Sequence, residues 1–571
     1  MPMRDFVVRF AGEGGQGVVT SAEGLAQVST QVGYHALTFA TFPSQIQGGP
    51  TWTQVRMSVD PVFSPGDDVD VLVAFNQEAY DTHIGEVREN GVVIFNADEF
   101  DLQGDPRALG LPVDELARST GNNRAANMVI IGALAHLVDM PQNYLDEFVT
   151  KRFTRGRAGD DEIIRSNIMA IGLGREHMAA SGFSLGSLED PVMPDYAQLM
   201  LKGNEALALG ALAGGLEFYV GYPISPATTI LLYMERNLVG EGKFAYQVSS
   251  EIESITALLG AGFAGKKAMT ATAGPGFSLM SEGIGLGWIA EIPVVIVDVQ
   301  RGGPATGLPT KTEQSDLMAC MFPAHGDVRI PIIAVGTVEE CFYGAIKALN
   351  WSERYQGPVV LMTEMALAER AQNIPKPDLS KVQVKGRQVY QGANGYHRYA
   401  GHELSPMPIP GNPGAYVANG SEHDDMGDTT HLPERHVQMT ERRFGKLKLL
   451  EEDDYEVDKP DESIVLMTWG GSKGSAWEAY NQLKEQGVPV GWRYTMYLNP
   501  LPPRLLEELK QKELVIVPEL NYQGQFASIL RSQGVKAEAI TQYTGLPFKV
   551  RHLVEEVTRM TESRLKETVG V

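Results

Sequence analysis

The sequence predicts an α/β protein built from three doubly wound, mostly parallel sheets. Three observations carry that prediction. At 571 residues the chain exceeds what one hydrophobic core supports, and roughly 150 residues per unit gives three or four units. Short apolar runs alternate with helix-length periodic stretches from end to end, the pattern of parallel strands covered on both faces. Several of those runs end in turns rich in Gly and Pro, where open parallel sheets place their ligands.

Asp5 to Ala11 read as the first strand, followed by Gly12-Glu13-Gly14-Gly15-Gln16-Gly17 and a helix over 18–32. This strand, glycine turn and helix match the dinucleotide fingerprint, in which backbone amides hold a phosphate. The acid expected about 20 residues later is missing, because the strand His35 to Ala40 ends in Thr41-Phe42. That argues against nicotinamide. Strands are expected at 52–57, 69–75 and 92–96, with helices at 77–89 and 123–137, the latter amphipathic, and a last helix ending near Ala180. Residues 181–196 read as a linker.

A second domain opens with a helix near 200–214, and its signals concentrate between 218 and 316. The run Leu216 to Val220 leads into Gly221-Tyr222-Pro223-Ile224-Ser225-Pro226. Ser250-Glu251 starts a helix that precedes the strand Ala268 to Thr272, and Ile292 to Val299 leads into Gln300-Arg301-Gly302-Gly303-Pro304. Three loops of this kind can converge on one ligand. Glu251 and Glu253 lie about 200 degrees apart on a helix and cannot face the same pocket.

Residues 372–460 are Pro- and Gly-rich, the composition of an extended linker or of a segment that wraps a neighbour. His423, Asp424 and Asp425 lack metal-ligand spacing, and they read as a solvated loop, as do Glu451 to Asp454. A third unit starts at the strand Ser463 to Thr468, with Ser472 or Ser475 placed to cap the next helix, and continues with strands near 489–497, 514–518 and 536–540.

The formal net charge of -23 excludes a nucleic-acid surface. Two cysteines, Cys320 and Cys341, supply neither a disulfide framework nor the four thiolates of an iron-sulfur cluster. No apolar run approaches a membrane span and no basic-then-apolar leader is visible, so a cytoplasmic location is expected.

Taken together, Tyr222 to Pro226, Glu251, and Arg301 to Gly307 resemble the alpha subunit of the 2-oxoacid:ferredoxin oxidoreductases. In that family a Tyr-Pro-Ile-Thr-Pro turn, a helical glutamate and an Arg-Gly-Gly-Pro-Ser-Thr-Gly loop meet thiamine diphosphate. Ser225 keeps the threonine hydroxyl, whereas Ala305 loses that of the serine. The opening Gly-x-Gly-Gly-Gln-Gly resembles the family's gamma domain, with Gln47 to Thr51 standing for its Arg-Gly-Gly-Thr loop, and Pro518 to Gln525 resembles a stretch of its transketolase-like carboxy-terminal domain.

The resemblance implies a fused gamma-alpha subunit, most readily of the 2-oxoglutarate enzyme. Its domains would be a gamma domain (1–185), a pyrimidine-binding domain (196–372), an extended linker (373–460) and a transketolase C-terminal-like domain (461–571). It implies Glu251 as the acid that exchanges a proton with the aminopyrimidine, and Arg301 and Ser225 as contacts for the substrate carboxylate. Tyr222, Pro223, Ile224, Gly276 and Phe277 would line the cofactor, and Gly12, Gly14, Gly15, Gln16 and Gly17 would belong to a coenzyme A site.

The thiamine diphosphate fold family holds its diphosphate through magnesium at a Gly-Asp-Gly motif that occurs nowhere in this chain, so the resemblance implies magnesium and the cofactor diphosphate in a beta subunit. That subunit would also carry the [4Fe-4S] cluster, within an (alpha-beta)2 assembly serving ferredoxin, and no metal ligands are expected here. Pyruvate and branched-chain 2-oxoacids remain open as substrates. So do readings of a different class, a nicotinamide-linked dehydrogenase or a scaffold without chemistry.

Overall fold

The computed structural model describes residues 2–43, 48–102, 104–401 and 404–569, the side chains up to 566. Gln47 lies outside the described residues. The chain divides into two compact units, Met1–Leu201 with Arg370–Lys376, and Lys202–Glu369 with Pro377–Val571.

The first unit holds one eight-stranded sheet. Its order is Ala108–Leu111, Val87–Asn96, Val69–Ala74, Asp5–Glu13, Pro50–Ser58, His35–Thr41, Ala371–Pro375 and Gln198–Lys202. The strands from Ala108–Leu111 to Asp5–Glu13 run parallel. Pro50–Ser58 is antiparallel to both of its neighbours, because only eight residues separate it from His35–Thr41, too few for a crossover. The helix Val18–Val32 forms where expected and ends at Gly33, whose φ of 110° suits glycine at a helix end.

The helix Ala126–Leu137 is buried on nearly every side rather than amphipathic. It is pressed against the helix Asp160–Ser181 so closely that a Cβ on Gly132 would lie 2.0 Å from Ile171 O, and one on Gly174 1.9 Å from Val129 O. Only glycine permits that approach.

The second unit holds both remaining sheets. The seven-stranded one runs Tyr497–Asn499, Ile332–Ala334, Pro358–Glu364, Val294–Gln300, Ala268–Thr272, Phe218–Gly221 and Phe244–Gln247. All its pairings are parallel except that of Tyr497–Asn499. That strand comes from the stretch expected to complete the last sheet, and it turns away after Gly491–Tyr494. The five-stranded sheet runs Glu456–Asp458, Gly491–Tyr494, Ile464–Thr468, Leu514–Glu519 and Ala537–Thr541.

The stretch 372–460 is less of a linker than its composition suggests. Ala371–Pro375 is a strand of the first sheet, Pro433–Gly445 is a helix, and Glu456–Asp458 is an edge strand of the last. Glu291 fixes this stretch to the core: fully buried, it meets Arg442 at 2.8 Å and Lys446 at 3.0 Å, with Arg398 at 3.8 Å. Such a cluster is held by mutual neutralisation, and removing the carboxylate would strand three buried cations.

His423 is not a solvated residue either. It is fully buried, and its ring lies 4.3 Å from that of Tyr399. Glu452 likewise ties its run down, through Lys347 at 2.7 Å and Trp351 Nε1 at 3.3 Å. Ser472 precedes its helix but caps nothing with its side chain; the hydroxyl donates to Trp469 O at 2.8 Å instead. Among the described residues no helix is long and apolar enough to cross a membrane.

Candidate active site

The strand order of the seven-stranded sheet sets the site. The chain leaves Phe218–Gly221 towards one edge, forms Phe244–Gln247 there, and returns to the opposite side as Ala268–Thr272. Connections therefore diverge at the carboxyl ends of Phe218–Gly221 and Ala268–Thr272, and a crevice opens where they part. The turn Gly221–Pro226, the helix beginning at Glu251, the short helix Gly274–Leu279 and the loop after Val294–Gln300 all start at that edge.

The helix Glu251–Phe263 starts where the sequence says, with Ser250 Oγ accepting from Glu253 N at 3.2 Å. Glu253 turns outward and accepts from Ser249 N at 2.8 Å and Ser249 Oγ at 2.6 Å. Those bonds hold its carboxyl below the usual range. Glu251, two residues earlier on the same helix, faces inward and is 6% exposed.

Among the described residues the Glu251 carboxylate has no hydrogen-bond partner. It packs on Gly276, where a Cβ would lie 2.5 Å from Glu251 Oε1 and 2.1 Å from Thr272 Oγ1. Gly276 is thus the space that lets a buried acid and a buried hydroxyl stand side by side.

Arg301 is the second charged member, 7% exposed. Nη1 donates to Ser225 O at 2.7 Å and Nη2 to Thr306 O at 3.3 Å, while Nε is buried without a partner. The guanidinium thus ties the Gly221–Pro226 turn to its own loop through carbonyls and forms no ion pair among the described residues. Burial lowers its proton affinity, and Asp316 partly offsets that. A buried cation without a contacting carboxylate is a ready partner for an external one.

The remaining predicted residues are distributed unevenly. Ser225 is exposed and precedes a cis peptide to Pro226. Tyr222 is 39% exposed, Pro223 and Ile224 are half-buried, and Phe277 is 2% exposed, with little surface left for a ligand.

Three residues not singled out in the sequence support the site. Asn204 Nδ2 donates to Pro226 O at 3.0 Å and to Thr229 Oγ1 at 2.7 Å. Thr272 stands beside Glu251. Asp316 lies over Gly274, where a Cβ would come within 2.6 Å of its Oδ2. Burial, with Glu313 nearby, pushes the Asp316 carboxyl up to about 6 against the pull of Arg301. None of the three has a spacing signature that marks it in the sequence.

The glycine turn belongs to the first unit. Gly12 is buried, and a Cβ there would meet Gln16 Oε1 at 2.6 Å and Phe75 Cβ at 2.8 Å. Gln16 Oε1 accepts from Glu13 N at 2.7 Å and Asn76 Nδ2 at 3.2 Å. Gly17, with φ 89°, packs on Asn127. Gly14 and Gly15 are exposed, and Gly14 N donates to Gly49 O at 3.4 Å. What remains open to a ligand is exposed backbone at Gly14 and Gly15.

Thiamine diphosphate suits the crevice of the second unit. A carboxylate on a buried residue, without a partner among the described residues and beside a glycine that a methyl group would fill, leaves room and hydrogen-bonding capacity for a nitrogen heterocycle.

Comparison with known proteins agrees. Residues 209–442 match the family described as pyruvate flavodoxin/ferredoxin oxidoreductase, thiamine diphosphate-binding. Residues 7–177 match the family described as pyruvate ferredoxin/flavodoxin oxidoreductase. The 2-oxoglutarate oxidoreductase subunit KorA of Mycobacterium tuberculosis is 29% identical, over 99% of this chain and 92% of its own. The 2-oxoglutarate synthase subunit KorA of Methanocaldococcus jannaschii is 36% identical, over 60% of this chain and 93% of its own.

Among solved structures, the 2-oxoglutarate:ferredoxin oxidoreductase of Magnetococcus marinus, with 2-oxoglutarate, coenzyme A and succinyl-CoA bound, superposes with a TM-score of 0.92. The two share 34% identity over 98% of this chain and 100% of that one. With both units matched and the overlap running almost end to end, the chain belongs to the 2-oxoacid:ferredoxin oxidoreductase family as an alpha-type subunit.

Proposed function

We propose that this chain is the alpha-type subunit of a thiamine-diphosphate-dependent oxidoreductase that converts 2-oxoglutarate and coenzyme A to succinyl-CoA and carbon dioxide. The two electrons released pass singly to ferredoxin, and the reaction is reversible. The observation that carries the substrate assignment is the end-to-end similarity, at 34% identity, to a protein whose structure holds 2-oxoglutarate, coenzyme A and succinyl-CoA.

When bound, thiamine diphosphate supplies the nucleophilic carbon and the electron sink that decarboxylation of a 2-oxoacid needs. The chain's own residues have three tasks. Glu251 holds and returns a proton at the cofactor's aminopyrimidine, a role favoured by burial and by the absence of a competing donor among the described residues. Arg301 binds the substrate carboxylate, with Nε free and two carbonyls fixing the plane of the fork. Ser225, exposed at the turn that Arg301 holds, adds a hydroxyl donor. Tyr222, Pro223 and Ile224 form the half-exposed rim, and Gly276 keeps clear the space between Thr272 and Glu251.

The assembly follows from what the chain lacks in sequence. With no Gly-Asp-Gly and two cysteines, magnesium, the diphosphate and a [4Fe-4S] cluster belong on a beta subunit, in an (alpha-beta)2 complex of the cytoplasm. Coenzyme A is assigned to the first unit, at the exposed backbone of Gly14 and Gly15.

The test is dye reduction by the complex purified with its natural partner, across a panel of 2-oxoacids with and without coenzyme A. 2-Oxoglutarate should give the highest kcat/KM, and turnover should depend on coenzyme A. A preference for pyruvate or a branched-chain 2-oxoacid would overturn the substrate assignment.

A further inference from the structure

The Arg301 loop is not held by its own sheet alone. After Arg301 the backbone closes a small ring, Leu308 N donating to Gly302 O at 2.7 Å and Gly302 N to Lys311 O at 3.0 Å. It then runs to Asp316 with no regular structure. A segment of that kind takes its position from whatever its polar groups bond to.

Most of those partners lie at the five-stranded sheet, although Asp316 N also donates to Gln300 Oε1 of the seven-stranded sheet at 3.2 Å. Gln314 is fully buried and makes four bonds to the five-stranded one. Its Nε2 donates to Trp469 O at 2.9 Å and its Oε1 accepts from Leu520 N at 3.0 Å. Its backbone N donates to Leu520 O at 2.7 Å, and its backbone O accepts from Asn521 Nδ2 at 2.9 Å. On one side Thr312 N donates to Gly545 O at 3.2 Å. On the other, Gln525 Nε2 donates to Ser315 O at 2.7 Å and Gln525 Oε1 accepts from Met318 N at 2.9 Å.

Trp469, Leu520 and Gly545 have one thing in common. They follow Ile464–Thr468, Leu514–Glu519 and Ala537–Thr541, three mutually parallel strands, so all three lie at the carboxyl edge of the sheet. That edge is where an open parallel sheet holds its ligand. In this chain it holds residues 312–318 instead.

We propose that the carboxyl edge of the five-stranded sheet is the positioning platform of the Arg301 loop, with Gln314 and Gln525 as its positioning residues, so that affinity for the 2-oxoacid is set in part from that sheet. The inference rests on the assignment of Arg301 to the substrate carboxylate. It adds that a domain without reacting groups tunes the binding of substrate.

The test uses the complex with its partner and four variants: Gln314→Ala, Gln525→Ala, Arg301→Lys, and Gln525→Ala combined with Arg301→Lys. Two readouts apply, steady-state constants and the dissociation constant of 2-oxoglutarate from thermal-shift titration. Each glutamine variant should raise KM and the dissociation constant for 2-oxoglutarate roughly three- to tenfold, the size of one or two net hydrogen bonds. The values of kcat and of KM for coenzyme A should stay within about twofold by the same reasoning, since no reacting group is touched.

In the Arg301→Lys background the Gln525→Ala effect should largely vanish, because both changes act on one contact. Should Gln314→Ala fail to fold, Gln525→Ala decides, since it removes two side-chain bonds and leaves those of Gln314 in place. The inference is overturned if Gln525→Ala leaves the 2-oxoglutarate constants unchanged, or if its effect persists in full beside Arg301→Lys; the role of Arg301 then stands. An Arg301→Lys enzyme with wild-type affinity would instead remove the assignment of Arg301, and this inference with it.

Discussion

Two regions of the molecule begin alike and end differently. In each unit a buried strand runs into a tight turn and a helix: Asp5–Glu13 into the glycine turn, and Phe218–Gly221 into Tyr222 to Pro226. In the first, the polar side chain is spent on the fold, since Gln16 Oε1 accepts from Glu13 N and Asn76 Nδ2. In the second, charged groups of buried residues are left without a partner among the described residues, the Glu251 carboxylate and Arg301 Nε. A buried polar group without a partner is expensive. Two such charged groups bordering one crevice give a ligand something to complete, and that separates a motif from a site better than glycine spacing does.

The largest loss is expected for Glu251→Gln. The amide cannot exchange the proton, and turnover should fall about 100- to 10,000-fold, the worth of one positioned acid-base group. Assembly and the melting temperature should be near those of the wild type. Arg301→Lys comes next: a point charge replaces the fork, and KM for 2-oxoglutarate should rise about 10- to 100-fold, with a smaller change in kcat.

Gly276→Ala probes the space between Glu251 and Thr272. Its methyl group would press on Thr272 Oγ1 and Glu251 Oε1. Overpacking of about 1–3 kcal/mol should appear as lost activity at nearly constant fold, seen by circular dichroism.

Asp316→Asn sharpens the electrostatic side. Burial and Glu313 raise the Asp316 carboxyl to about 6, above its usual value near 4. A carboxyl raised on folding contributes stability that is complete below the unfolded value and is lost as pH rises through the folded one. Asn mimics the protonated form. The variant should therefore melt higher than the wild type at pH 7–8, and the two curves should converge near pH 4. Equal melting temperatures throughout that range would show the carboxyl to be unperturbed.

The smallest effect belongs to the other region. Gln16→Ala should cost about 1 kcal/mol of stability in the first unit and leave the 2-oxoglutarate constants untouched. Its KM for coenzyme A should move less than about twofold, since backbone rather than side chain is open there.

Much of this was legible in the chain because the informative signals are local. Strand, turn and helix start are adjacent in sequence at Gly221 to Pro226, at Ser250-Glu251 and at Arg301. Glu251 and Glu253 could be separated by helical geometry alone, and the two carboxylates do part as that geometry requires.

What escaped depends on distant partners. Thr272 acquires meaning only because Gly276 brings Glu251 beside it, and Asp316 only because Gly274 admits it. Gln314 reads as one polar residue in a loop, yet its bonds reach Trp469 and Leu520, 155 and 206 positions away. The helix Pro433–Gly445 was hidden because its buried positions include Arg442 and Arg443, charged residues that contribute no apolar period. The antiparallel strand Pro50–Ser58 depends on the shortness of its connection, which alternation alone does not reveal.

The central claim is that Glu251 supplies the proton exchange that prepares thiamine diphosphate. Exchange of the cofactor's thiazolium C2 hydrogen for deuterium, followed by quenched-flow NMR in the complex with its partner, tests it most directly. Exchange should be fast with Glu251 and slowed by roughly two orders of magnitude or more in Glu251→Gln, at similar cofactor affinity. Equal exchange rates in the two proteins would contradict it.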